Sequence, residues 1–270
     1  LDLIDRDREG AEKRFEQAID ADPEQSEYHD WLAVSIMQGM PYRGFLGRMT
    51  ASMKMLKELR KAIELDPENL RARMTLFQMM VRSYDRGPMS KEDLVEHAHA
   101  IAAIDSVMGH VARGALYQFV DKDLGKSGAE FAEAVNLDPT NRAAAVSYAD
   151  YLWEVDRKEE AIKVLTDFVE RMPDDKTARF NLGTRLLLKG DDYARSKSVL
   201  TACLELKSET GIPSEPMVRW CLGLAYHLLG DEAAAQTEWT AVYEQDEDFD
   251  SILEVSPDMS ELNTILTRGK

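Results

Sequence analysis

The sequence predicts an all-α fold, an array of antiparallel helix pairs, and three observations carry that prediction. The ending "AIDADP" at 18–23 returns as "AIELDP" at 62–67 and as "AVNLDP" at 134–139. From Pro139 to Pro173 is 34 residues, and that stretch holds two helical patterns joined by the polar run 156–160. A fixed period near 34 with two helices per unit marks a repeat array. Each "DP" reads as the exit of one hairpin and the turn into the next, because proline cannot continue a helix and costs nothing just beyond its end.

The elements follow in order. Ala11, Phe15, Ala18 and Pro23 close a unit whose first helix is missing, so 1–23 is a partial repeat. Met55, Leu59, Ala62 and Pro67 close the next, and Ser127, Phe131, Ala134 and Pro139 a later one. In "NLGTRLLLKGDDYARSKSVL" the same pattern places Leu182, Gly183, Leu186 and Gly190, and an extra Asp moves the second helix so that Ser196 and Leu200 take the later positions. The fullest copy, "LGLAYHLLGDEAAAQTEW", has Leu222, Gly223, Tyr226, Gly230, Ala235 and Trp239. Small residues such as Gly183, Gly223 and Ala134 let paired helices approach to the ~8–10 Å of packed pairs, while the large ones fill the space between.

These residues resemble the tetratricopeptide repeat signature. The resemblance implies a right-handed superhelical solenoid over the whole chain, 1–270. It places six helix pairs between 24 and 248 (24–67, 68–106, 107–139, 140–173, 174–208 and 216–248) and a C-terminal cap or tail at 249–270, with a helix after Ser256 and Pro257 that packs Ile265 and Leu266 back. The period breaks at three inserts. Pro23 to Pro67 is 44 residues, ten more than a repeat, and the surplus falls near 38–50 in "QGMPYRGFLGRM" as a long loop or a lengthened helix pair. A second insert lies near 85–90, where Ser90 caps the following helix, and that helix ends in "AIDS" rather than "LDP". The third is the Pro/Gly/Ser-rich stretch near 207–215. Such inserts are either binding elements or neutral additions.

A formal charge of −17 with 31% charged and 44% apolar residues describes a strongly acidic chain able to bury a core. Nucleic acid is not an expected partner, since phosphate binding requires a basic stripe and Arg71, Arg73 and Arg82 form only a short one. The acidic balance favours a partner with a neutral or basic segment. No run approaches the ~18 apolar residues of a membrane span. The chain begins at Leu1 rather than Met, as a processed or truncated N-terminus would, and "RGPMSKEDL" is similar to a turn in bacterial tetratricopeptide proteins, many of them exported. Localisation therefore stays open between a bacterial cytoplasm and periplasm. Cys203 and Cys221 are too few for a disulfide framework and read as small buried side chains.

Chemistry-bearing motifs are absent from the sequence: no phosphate loop, no H-E-x-x-H, no C-x-x-C, no nucleophile elbow. His97 and His99 are two apart, which on a helix is about 200° and does not converge on one ion. The acids of "EQDEDFD" at 244–250 lack the Gly and distal Glu of a calcium loop. No metal, cofactor or enzymatic activity is expected.

The resemblance instead places function in a concave groove lined by the first helix of each pair. Carried over residue by residue, the groove positions are Asp30 and Val34, Met74 and Gln78, Arg113 and Tyr117, Val146 and Asp150, Phe180 and Thr184, and Trp220 and Leu224. Tyr117, Phe180 and Trp220 are either anchors for a peptide or packing between neighbouring units. Family members that clamp acidic chaperone tails use paired Lys and Asn, which Asp30, Met74, Gln78 and Arg113 do not reproduce. The expected function is a protein-interaction scaffold holding a peptide or protein partner. The alternative is self-assembly as a homo-oligomer, through an end unit or through Met40, Met49, Met53 and Met55 with Phe45 and Leu46, since methionines suit adaptable contacts.

Overall fold

The computed structural model describes residues 8–86, 90–207 and 212–268. It is built of α-helices, and the described residues contain no strand. In order they are α1 (Arg8–Ala21), α2 (Ser26–Gly39), α3 (Phe45–Leu65), α4 (Leu70–Arg82), α5 (Lys91–Ile104), α6 (Ser106–Leu116), α7 (Leu124–Leu137), α8 (Arg142–Glu154), α9 (Lys158–Arg171), α10 (Lys176–Lys189), α11 (Tyr193–Leu204), α12 (Glu215–Leu228), α13 (Glu232–Gln245), α14 (Asp250–Val255) and α15 (Pro257–Arg268). The chain divides into two compact units. The first comprises Asp7–Met37 and Phe45–Arg157; the second gathers Gln38–Gly44 with the chain from Lys158 onward.

The repeated "DP" endings have a local cause. After α3, the Asp66 carboxylate accepts the Glu68 N–H at 2.9 Å, Pro67 stops the helix, and Asn69 accepts the Ala72 N–H at 3.0 Å to start α4. Asp138, Pro139 and Asn141 repeat this between α7 and α8, with Asn141 accepting from Ala144 at 3.0 Å. A short polar side chain satisfies orphan amides at each helix start. Ser90 caps α5 in a reciprocal box with Asp93. Where "AIDS" replaces "LDP", Asp105 ends α5 and also caps α6 by accepting from Met108 at 3.0 Å, so no turn intervenes.

Close approach within three of the pairs comes from residues without side chains. A Cβ on Gly114 of α6 would lie 2.7 Å from the Phe131 ring of α7, one on Gly183 of α10 would lie 2.6 Å from Leu200 of α11, and one on Gly223 of α12 would lie 2.5 Å from the Trp239 indole of α13. Gly109 meets Ala102 the same way where α6 packs on α5.

The ten surplus residues of the first insert are divided between two features. A three-residue 3-10 turn, Met40–Tyr42, follows α2, and α3 runs 21 residues against the 14 of α9. The 3-10 turn belongs to the second unit, where the Tyr42 hydroxyl donates to buried Asp246 at 2.5 Å. The tail holds two helices, α14 and α15, rather than the single one expected after Pro257. Residues 87–89 and 208–211, in the second and third inserts, lie outside the described residues.

Candidate protein-interaction surfaces

In the first unit, α4, α6 and α8 pack side by side as successive first helices. Of the positions expected to face a groove, Asp30, Val34 and Met74 are buried, Arg113, Tyr117, Val146 and Asp150 are half-buried, and Gln78 is exposed. Arg113 Nε donates to Glu130 Oε2 at 3.0 Å, and the same oxygen is 2.7 Å from His110 Nδ1. Tyr117 opens a π-helical turn, Tyr117–Asp121, and the Lys126 ammonium sits 5.5 Å from its ring centre. Asp30, out of water, accepts Arg71 Nε at 2.6 Å, while the Arg71 guanidinium stacks 3.9 Å over Trp31.

In the second unit the corresponding positions are enclosed. Phe180, Thr184, Trp220 and Leu224 are all buried, Leu224 with no exposed surface. Phe180, Trp220 and Leu224 share one cluster with Phe249, Ile252, Leu253, Met259 and Leu262 of the tail, so the chain's own C-terminal helices supply apolar contacts there. α15 packs on α10, where Arg185 Nη1 reaches Asp258 Oδ1 at 3.3 Å. Ile265 and Leu266 pack back as expected. Thr184 spends its hydroxyl on the Asn181 carbonyl at 3.0 Å. These four side chains offer no free surface in this conformation, because packing between neighbouring helices and the tail has used them.

The largest exposed apolar side chains instead lie together on α3: Phe45 is 75% exposed, Leu46 70%, Met53 67% and Met49 53%. At 100° per residue, Phe45, Met49, Met53, Leu56, Arg60 and Ile63 fall within a sector of about 80°. The helix buries a different face, formed by Ala51, Met55, Glu58, Leu59 and Ala62. Toward its C-terminal end the outer stripe meets a cleft of about 530 Å³ shared with α4 and α5. Its floor is apolar, from Ile63, Leu76, Met80 and Ala100, while Arg60, Arg73 and His97 stand on its walls and Asp93 and Glu96 at its acidic side. Burial holds the His97 imidazole below its ordinary range, and the positive charges of Arg73 and Arg60 act in the same direction against the carboxylates of Glu96 and Asp93. His99 is exposed on another face.

α3 is also locally basic. It carries Arg48, Lys54, Lys57, Arg60 and Lys61 against Glu58 and Glu64, and Glu58 is buried with its Oε2 2.6 Å from His29 Nδ1. Lys54 pairs with Glu16 and Lys61 with Glu64. Among the described residues, Arg48, Arg60 and Arg73 pair with no carboxylate; Arg73 Nε donates to the Pro67 carbonyl. Of the basic stretch Arg71, Arg73 and Arg82, Arg73 joins Arg60 at this cleft, while Arg71 pairs with Asp30 and Arg82 lies over the Phe119 ring. Counting charge by helix rather than over the chain is the signal that finds the basic character of α3.

Among the described residues no three His, Cys, Asp or Glu side chains gather as metal ligands, and no helix is long and apolar enough to cross a membrane. Cys203 and Cys221 are free and buried. In the acidic stretch 244–250, Asp246 accepts from Tyr42 and Asp250 from the Tyr243 hydroxyl at 2.7 Å.

Glycine against a large side chain in three of the pairs, capped Asp-Pro turns after α3 and α7, and a period near 34 decide the architecture. The chain is an array of antiparallel helix pairs whose small and large residues are spaced as in tetratricopeptide repeats. No protein-family model and no curated protein matches it. Among solved structures it is similar to YrrB, described as a tetratricopeptide protein with an unusual peptide-binding site, at 18% identity and a TM-score of 0.47 over 73% of this chain and 96% of that one. MamA of Desulfovibrio magneticus RS-1 overlaps at 20% identity and a TM-score of 0.46, over 65% of this chain and 96% of that one. At these values neither overlap extends the reading beyond the helix pairs themselves.

Proposed function

We propose that this chain is a non-enzymatic protein-interaction scaffold that holds a peptide or protein partner on the outer faces of its helices. The observation that carries the reading is the stripe of Phe45, Leu46, Met49 and Met53, four large apolar side chains between 53% and 75% exposed on one helix. A contiguous apolar patch with polar surroundings is the surface property of an interaction site rather than of an inert exterior. The accessible part of the first-helix face in the first unit, with Gln78, Arg113, Tyr117 and Asp150, is the second place where a partner would lie. Its half-buried tyrosine beside polar side chains is suited to a peptide.

Selection of random 16-residue peptides displayed on phage tests this reading. The wild-type chain is expected to enrich a peptide pool whose binding falls at least tenfold either in a Phe45→Ser, Met49→Ser, Met53→Ser variant or in a Gln78→Ala, Tyr117→Ala variant. Failure to enrich any pool, or a pool that binds both variants as well as wild type, would refute it. The same stripe also supports self-association as a second reading. Sedimentation velocity over a hundredfold concentration range tests that, and a monomer throughout would remove it.

A further inference from the structure

Three properties of α3 converge on one kind of partner. The first is reach: by helical rise, Phe45 and Arg60 are separated by about 22 Å along one side of the helix. That distance matches a partner segment of about four helical turns. The second is the change in character along the stripe, which is apolar at Phe45, Met49 and Met53 and charged at the cleft, where Arg60 and Arg73 share the lining with Asp93 and Glu96. The third is the two guanidiniums, which pair with no carboxylate among the described residues although Asp and Glu outnumber Lys and Arg by 50 to 33 in the chain. A guanidinium without a carboxylate partner in an acidic protein is a ready hydrogen-bond donor to one.

Resting on the scaffold reading above, we propose that α3 docks an acidic amphipathic segment of a partner protein, with apolar side chains on Phe45, Met49 and Met53 and a carboxylate held between Arg60 and Arg73. The apolar floor of the cleft, Leu76 and Met80, takes the side chain next to that carboxylate. Charge selects this occupant over two others. An anionic membrane attracts Arg48 and Lys57 but is a charged plane far wider than α3, so it repels the rest of a chain of net −17, whereas a short segment need meet α3 alone. A second copy laid stripe to stripe would oppose the same cations across the axis, and two chains of −17 repel each other besides. The overall charge favours a neutral or basic partner, but a segment with clustered acids meets the local charge of α3, and long-range repulsion from the rest of the chain restricts the encounter to this face.

The peptide pool selected on the wild-type chain provides the test, with each variant also checked by circular dichroism for unchanged helicity. The expected pool is rich in Asp and Glu, with apolar residues at three- and four-residue spacing. Its affinity is expected to fall roughly tenfold or more in an Arg60→Glu, Arg73→Glu variant, to stay within a few-fold of wild type in Arg60→Lys, and to weaken as salt rises. A pool with no acidic bias, or one indifferent to the double charge reversal, overturns the proposal. A pool that depends on Gln78 and Tyr117 but not on Arg60 and Arg73 overturns it while leaving the scaffold reading in place; no pool at all overturns both. Two further results count against it: cosedimentation with phosphatidylserine vesicles that the Phe45→Ser, Met49→Ser, Met53→Ser variant loses, and a wild-type dimer abolished by the same variant.

Discussion

Replacing Gly223 by Ala probes the packing on which the array depends. The added Cβ would lie 2.5 Å from Trp239 Nε1, 2.7 Å from Cδ1 and 2.9 Å from Cε2. Ordinary contact begins near 3.5 Å, so the indole must retreat by about 1 Å. Its N–H donates to the Trp220 carbonyl at 3.2 Å, and that displacement breaks the bond, a loss of about 1 kcal/mol. Overpacking adds roughly 1–3 kcal/mol. Alanine recovers about 1 kcal/mol of helix propensity, leaving a net destabilisation of about 1–3 kcal/mol. Gly125 in the first turn of α7 is the control: its nearest neighbour for a Cβ is Asp123 Oδ1 at 3.6 Å, so Gly125→Ala should stabilise by about 0.4–1 kcal/mol. Thermal unfolding followed at 222 nm should place the two variants on opposite sides of wild type, Gly223→Ala lower by roughly 3–9 °C. A Gly223→Ala protein as stable as wild type would refute the argument that α12 and α13 approach over a missing side chain.

Arg71→Leu leaves Asp30 buried without its cation, and because Arg71 itself is partly exposed the expected loss is about 2 kcal/mol, read from urea unfolding. Burial already raises the Asp30 carboxyl above its ordinary range, with Arg71 opposing it. The folded state therefore keeps this proton over a window above pH 3.8 in which the unfolded chain has lost it, so Asp30 makes stability fall as pH rises through that window. Asp30→Asn should abolish that slope and Arg71→Leu extend it to higher pH. Burial pushes the Cys203 thiol up to about 11 and Cys221 higher still, so neither should react with a disulfide reagent at pH 8 until the protein is unfolded, when two thiols per chain should be counted. Tyr42→Phe removes a 2.5 Å hydrogen bond to a buried carboxylate in the second unit and should cost about 1–3 kcal/mol in thermal unfolding.

The helix pairs were legible because their causes are local. An Asp–Pro pair followed by Asn, a serine three residues before an aspartate, and a glycine opposite an aromatic each act within a few residues or within one hairpin. The candidate site was less legible because exposure is a tertiary property. Phe180, Trp220 and Leu224 hold positions that the repeat register assigns to a groove, yet side chains from a tail about 25–80 residues later share their cluster. No spacing within a hairpin reports that α15 will pack on α10. The tail's second helix, α14, was missed for a similar reason: six residues carry too short a pattern to stand out from the preceding acidic stretch. Arg60 escaped because the overall charge of −17 conceals a helix, α3, with five cations and only two carboxylates.

α3 also shows why the departure from the period carries the functional reading. Seven residues beyond the fourteen of α9 lengthen a helix by about 10 Å. The second helices of the later pairs are shorter, fourteen residues in α5, α7, α9 and α13 and twelve in α11, and Phe45, Leu46 and Met49 on the extra turns of α3 are exposed. Fold stability leaves the outer side chains of those turns unconstrained, and Lys, Glu or Gln would serve the helix as well as Phe, Leu or Met. Phe45, Leu46, Met49 and Met53 therefore lose the favourable burial that accounts for such residues elsewhere in the chain and add an aggregation hazard. A transient complex that buries them removes both costs, and its partner must tolerate the cations that flank the stripe. The length of α3, the apolar residues on its exposed turns, and Arg60 at its far end with Arg73 of α4, both without a carboxylate partner among the described residues, are thus three features that one acidic amphipathic partner would explain together.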